Sequence, residues 1–159
     1  MEQRTLVKWL KILVLFAAVC GLGLTGGVLP LAGQWLVESY PEFSCCFWPW
    51  LIFLWVLSIP CFWALYLAWK IFGNIEKDHA FTAENAEYMG RISFLAAADA
   101  VVLLVGNVLF LLIGMNHPGI LLLCFVVTLI GIGFSVAAAA LSHLIRKAAD
   151  LQDQSDWTI

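Results

Sequence analysis

Charge is scarce in this sequence: 12% of its 159 residues are Asp, Glu, Lys or Arg, against 63% that are hydrophobic. A soluble domain carries about 25% charged residues, so this chain lacks the ionised groups to cover its apolar surface and must turn that surface toward lipid. Bases are missing altogether from two long stretches. Arg4, Lys8 and Lys11 lie near the start, Lys70, Lys77 and Arg91 in the middle, and Arg146 and Lys147 near the end, with none in between. A basic stripe of the kind that nucleic acid requires is also absent, which argues against direct nucleic-acid binding. There is no P-loop, H-E-x-x-H, G-x-S-x-G or dinucleotide fingerprint, and no C-x-x-C or zinc spacing. These absences point away from an enzyme and imply no cofactor and no metal.

What is present is four apolar runs, approximately residues 9–29, 50–72, 92–115 and 120–141. A hydrocarbon core about 30 Å thick needs about 20 helical residues at about 1.5 Å each, and every run is long enough. Helices are expected because unpaired backbone in lipid costs several kcal/mol per group and nothing alternates with period two. The reading is a single all-α membrane domain over 1–159, a polytopic bundle of four transmembrane helices. It has an outer loop at 30–49, a connector at 73–91 and a tail at 142–159. All eight bases then fall on one side of the membrane, which by the positive-inside rule is the cytosolic side and holds both termini. The first run follows Arg4, Lys8 and Lys11 like a secretory signal. Its apolar part, Ile12 to Leu29, is too long for a signal core and no A-x-A site follows, so it is expected to be retained.

Trp9 and Trp69 fall near the inner boundary and Trp35, Trp48 and Trp50 near the outer one, where amphipathic rings anchor a span. Trp55 and Trp63 lie deeper and are read as packing or lipid contacts. Gly23 with Gly27, Gly131 with Ser135, and Gly133 with Ala137 have the small-xxx-small spacing that lets helices approach, within one chain or between two copies in a homo-oligomer. Pro60 is expected to kink the second span, with Ser58 compensating. Asn116 to Gly119 make a tight turn, so the third and fourth spans are antiparallel neighbours. The outer loop is left open between a short surface helix and a cap.

Asp99 lies eight residues beyond Arg91, about 12 Å into the third span, where a carboxylate costs about 2.5–3.5 kcal/mol at the helix centre. It is either a proton or ion site, paired with Asn107 two turns on, or a carboxyl that locks helix packing. The first alternative makes the chain a small transporter or permease subunit. A third reading is a structural protein that senses envelope state through its aromatic belts. Cys20, Cys61 and Cys124 are in spans and behave as small hydrophobes, whereas Cys45 and Cys46 lie outside, where oxidation is possible.

In the connector, Thr82 is placed to cap a helix, Glu84 to complement its N-terminal dipole and Phe81 to pack under its first turn. That helix is expected to carry Asn85, Glu87 and Arg91 and to run on into the third span. In the tail, Leu141, Leu144, Ile145, Ala148 and Leu151 extend a helical apolar stripe past the fourth span. Arg146 and Lys147 stand at the interface, Asp150 and Asp153 lie farther out, and Asp156-Trp157-Thr158-Ile159 is an apolar ending too hydrophobic for idle exposure.

At these two elements the chain resembles a family of bacterial membrane proteins designated domain of unknown function twenty-nine seventy-five. The resemblance rests on the connector Ile75 to Asn85, above all Phe81-Thr82-Ala83-Glu84-Asn85. It rests equally on Leu144-Ile145-Arg146-Lys147-Ala148-Ala149-Asp150-Leu151 and the ending Asp156 to Ile159. Asp78-His79-Ala80 departs from a family tendency toward Gly and Pro before the Phe, and Trp157 from a smaller aliphatic residue. The resemblance implies the inner membrane of a bacterium and a partner, since members are often encoded beside a small Cro/CI-type helix-turn-helix regulator. The leading expectation is therefore a cytosolic dock for such a regulator. Phe81, Thr82, Glu84, Asn85, Glu87 and Arg91 would form one part of it, and Asp150, Asp153, Asp156, Trp157 and Ile159 the other. Acidic side chains would attract a basic DNA-binding domain, and Trp157 and Ile159 would supply apolar anchors.

Overall fold

The computed structural model describes residues 3–156, with side chains for 4–152 and Gln154. α1 covers Gln3–Gly23 and passes through one widened, π-helical turn, Leu24–Val28, into α2, Leu29–Ser39. A 3-10 segment, Pro41–Cys46, leads into α3, Phe47–Glu76. α4 is Ala83–Leu112 and α5 is Pro118–Asp156. The described residues hold no strand. Four stretches are long and apolar enough to cross a membrane: Arg4–Ser39, Pro41–Glu76, Ala83–Leu112 and Pro118–Gln152. Large apolar side chains stay exposed along all of them, among them Phe16, Ile59, Phe94 and Ile130 at 64–72%. That is the expected surface of helices whose solvent is hydrocarbon.

The segment expected as an outer loop, 30–49, is mostly helical: α2 carries the first span on to Ser39, and α3 begins at Phe47. Pro30 does not stop the helix because the turn before it widens. The Leu29 N–H reaches back five residues to the Leu24 carbonyl, and in that register the next donor would be the nitrogen of Pro30, which carries no hydrogen. The carbonyl this leaves over, that of Thr25, accepts the indole N–H of Trp55 from α3 at 2.9 Å. Trp55 is thus a packing residue with a defined partner. Pro60 is taken into α3 without interrupting it, and the Ser58 hydroxyl donates to the Trp55 carbonyl at 2.6 Å.

The long helices pack in series. α1 and α2 lie on α3, α3 lies on α4 and α4 lies on α5, while among the described residues α1 makes no close backbone contact with α4 or α5, nor α3 with α5. The expected four-helix membrane fold is thus present, its closest packing between helices that follow one another in the chain. The α4–α5 seam is built from small and polar groups. Ser93 and Ser135 each donate a hydroxyl to the other's backbone carbonyl at 2.8 Å, and a Cβ on Gly131 would meet Ala100 at 3.3 Å. The Ser142 hydroxyl donates to the Ala86 carbonyl at 2.6 Å. The Gly131/Ser135 face is thus used within the chain. Gly23, Gly27 and Gly133 have nothing within 4 Å of where a Cβ would stand. Between α3 and α4 a Cβ on Gly106 would lie 2.4 Å from the Phe53 ring, so any larger residue there must displace that ring. Phe53, Trp50 and Phe110 stack around that point at centroid distances of 4.9–6.1 Å.

Candidate functional site

The Lys11 ammonium pairs with Glu76 and lies 5.6 Å from the Trp69 ring, tying the start of α1 to the end of α3. The start of α4 joins the end of α3 through Asn74 and Asn85, and the C-terminal half of α5 joins α4 through Ser142, so the bases and most of the acids share one end of the molecule. This charged end is where the connector residues meet.

The connector is closed by backbone first. After α3, the His79 N–H bonds the Asn74 carbonyl at 3.0 Å and the Asp78 N–H bonds the Ile75 carbonyl at 3.1 Å, with Asp78 left-handed at φ 61°. This is the nested C-cap that usually takes glycine, and Asp is among the few other residues that tolerate it. Thr82 then caps α4 as expected, its hydroxyl accepting the Asn85 N–H at 3.2 Å.

Asn85 completes the closure. It is fully buried, its amide donates to the carbonyls of His79 and Ala80 at 3.0 Å each, and its side-chain oxygen accepts from Asn74 at 2.8 Å. A buried amide with every group bonded is a rigid cross-brace. Asn85 and Thr82 are therefore consumed internally and hold the surface in shape without forming it. Glu84 is exposed but engaged: it accepts the Tyr88 hydroxyl at 2.5 Å and the Asn74 amide at 3.1 Å. Glu87 and Arg91 pair with each other at 2.5 Å. Phe81 does not pack under the first turn; it is 57% exposed. On α5, Asp150 is exposed, as are Leu144 and Leu151. The side chains of Asp153 and Asp156, and the whole of Trp157 and Ile159, lie outside the described residues.

Asn74, Tyr88 and Ser142 belong to this end and were not picked out from the sequence. An Asn in the last turn of α3 and another in the first turn of α4 are the only signal that could have found the first of them.

Asp99 and Asn107 do not form one polar site. Asp99 faces α3, with the Cys61 thiol 3.6 Å from its carboxyl oxygen. Asn107 is fully buried farther along α4, donating to the Leu103 carbonyl at 2.9 Å and accepting from Asn116 at 3.0 Å. Eight residues on a helix place two side chains about 80° apart in azimuth and about 12 Å along the axis, which explains the separation. His117 caps α5 by accepting the Gly119 N–H on Nδ1 at 3.1 Å. The Cys45 and Cys46 thiols are in hydrogen-bond contact, their sulfurs 3.6 Å apart, and are not joined in a disulfide. Among the described residues no cluster of His, Cys, Asp and Glu could hold a metal ion.

No solved structure matches the chain. It is 26% identical over 153 residues, 95% of its own length and 96% of the relative's, to a Bacillus subtilis (strain 168) protein called uncharacterized membrane protein YoaS. That relative is a membrane protein, in keeping with the four candidate spans. Residues 31–159, which take in the connector, the buried Asn85 and the projecting end of α5, match the family model described as protein of unknown function (DUF2975), and the chain belongs to that family.

Proposed function

We propose that the chain is a multi-pass protein of the bacterial inner membrane whose charged end faces the cytosol and binds a small helix-turn-helix regulator there. The orientation rests on the one-sided distribution of all eight bases. The observation that carries the binding reading is the length and surface of α5. Its 39 residues extend about 58 Å, against about 30 Å of hydrocarbon, so the last turns stand clear of lipid. In that part Leu144 and Leu151 are 61% and 60% exposed and, seven residues apart, share a face. Apolar side chains in water on a projecting helix are what a partner covers. Asp150 beside them suits a basic partner, and the helix-turn-helix type is the one the family resemblance implies. The role proposed is binding, with no catalytic step.

Photocrosslinking in the native membrane tests this. A photoreactive residue at Leu151 should capture a small helix-turn-helix protein, and the same residue at Ile130, exposed within the apolar run, should capture none. Capture of no protein at Leu151, with the chain correctly inserted, would remove the dock.

A further inference from the structure

Between α3 and α5, which both lie on α4 without close backbone contact with each other, a furrow of about 540 Å³ runs along α4 at the charged end. Its lining is graded. Deeper along the helices it is apolar, with Trp63, Phe94 and Leu95, and toward the helix ends it carries Arg91, His143 and Arg146. Glu87 also lines it, but its carboxylate is engaged by Arg91. Arg146 has no carboxylate within ion-pair distance among the described residues, although Asp150 is one turn away. Glu87 with Arg91 is neutral as a pair, so Arg146 leaves the furrow mouth with an uncompensated positive charge.

We propose that this furrow binds an anionic phospholipid, with the phosphodiester at Arg146, His143 and the outer face of Arg91, and an acyl chain along Phe94, Leu95 and Trp63. Three features favour a lipid over other occupants. The order of the lining, cationic then apolar along one axis, is the order of groups in a phospholipid. A guanidinium with free donors matches phosphate oxygens. The furrow is also open and straddles the level where the apolar run of α4 begins, which is the headgroup level of a bilayer. The inference stands apart from the regulator reading by helix face: His143 and Arg146 line the furrow, whereas Leu144 and Leu151 lie on another face of the same helix and do not.

Native mass spectrometry of the full chain in detergent tests it, with phosphatidylglycerol and phosphatidylcholine of identical acyl chains as probes. Wild type should retain phosphatidylglycerol preferentially. Arg146→Gln should lower that retention about fivefold, whereas Lys147→Gln, an adjacent cation outside the furrow, should lower it by less than about twofold. Phe94→Ala, which leaves every charge in place, should also weaken retention, as a free-phosphate site would not require. Equal retention of the two lipids, or equal losses in the Arg146 and Lys147 variants, would overturn the assignment. Displacement of the lipid by millimolar inorganic phosphate would overturn it in favour of a free anion.

Discussion

The two ends of α4 solve the same problem with different materials. Each carries a fully buried Asn that accepts a hydrogen bond from a second Asn: Asn85 from Asn74 at the charged end, Asn107 from Asn116 at the other. Each adjoins a left-handed C-cap, made by Asp78 at φ 61° and by Gly114 at φ 75°. At the far end almost everything is local. Gly114 costs no strain, the Met115 N–H closes onto the Phe110 carbonyl at 2.8 Å, Pro118 opens α5 and His117 caps it. At the charged end the strained residue is Asp, and the connector's carbonyls are met by a side chain from the next helix. The fold of the 77–82 connector thus hangs on the Asn85 side chain, whereas the far turn is closed mainly by its own residues, with one added contact from α3, where the Trp50 indole donates to the Met115 carbonyl at 2.9 Å.

Removing the Asn85 side chain should have the largest effect. Asn85→Ala takes the side-chain donor from the His79 and Ala80 carbonyls, the Asn74 amide keeping Glu84, and should cost about 3 kcal/mol, read as lowered thermal stability in detergent and as new protease cleavage between 77 and 82. Asn107→Ala should cost nearer 1 kcal/mol, because Asn116 keeps a second contact, to the Asn107 carbonyl at 3.3 Å. Equal losses at the two positions would break the comparison. Gly106→Ala should cost about 2 kcal/mol by driving a methyl into Phe53, with Phe53→Leu in the same chain recovering most of it. The two caps should respond with opposite signs and least of all. Gly114→Ala should lose about 1 kcal/mol, and Asp78→Gly should gain a few tenths up to about 1 kcal/mol, as melting shifts of opposite direction.

The parts legible in the sequence are those written by local chemistry or by the bilayer. The four apolar runs, the Thr82 cap, the unbroken passage from connector into span and the tight turn before Pro118 each follow from neighbouring residues. Pro30 misleads because a breaker beside two glycines reads as the end of a span; only the widened turn and Trp55, thirty positions from Thr25, show how the helix survives it. Asn85 reads as a surface residue between Glu84 and Glu87, and its burial depends on Asn74 and on where the connector folds back. The serial order of the helices is likewise invisible in hydropathy, which reports that a face is apolar and not whether lipid or a neighbour covers it.

The central claim is that the charged end presents an apolar face on projecting α5 for a helix-turn-helix partner. It is tested most directly by floating membrane vesicles, with that end outward, together with a purified small helix-turn-helix regulator from the same bacterium. The regulator should rise with wild-type vesicles and remain at the bottom when Leu144→Glu and Leu151→Glu are combined, a loss of tenfold or more, about 1.4 kcal/mol. Equal co-flotation with wild type and double variant, or none with either, would contradict the account.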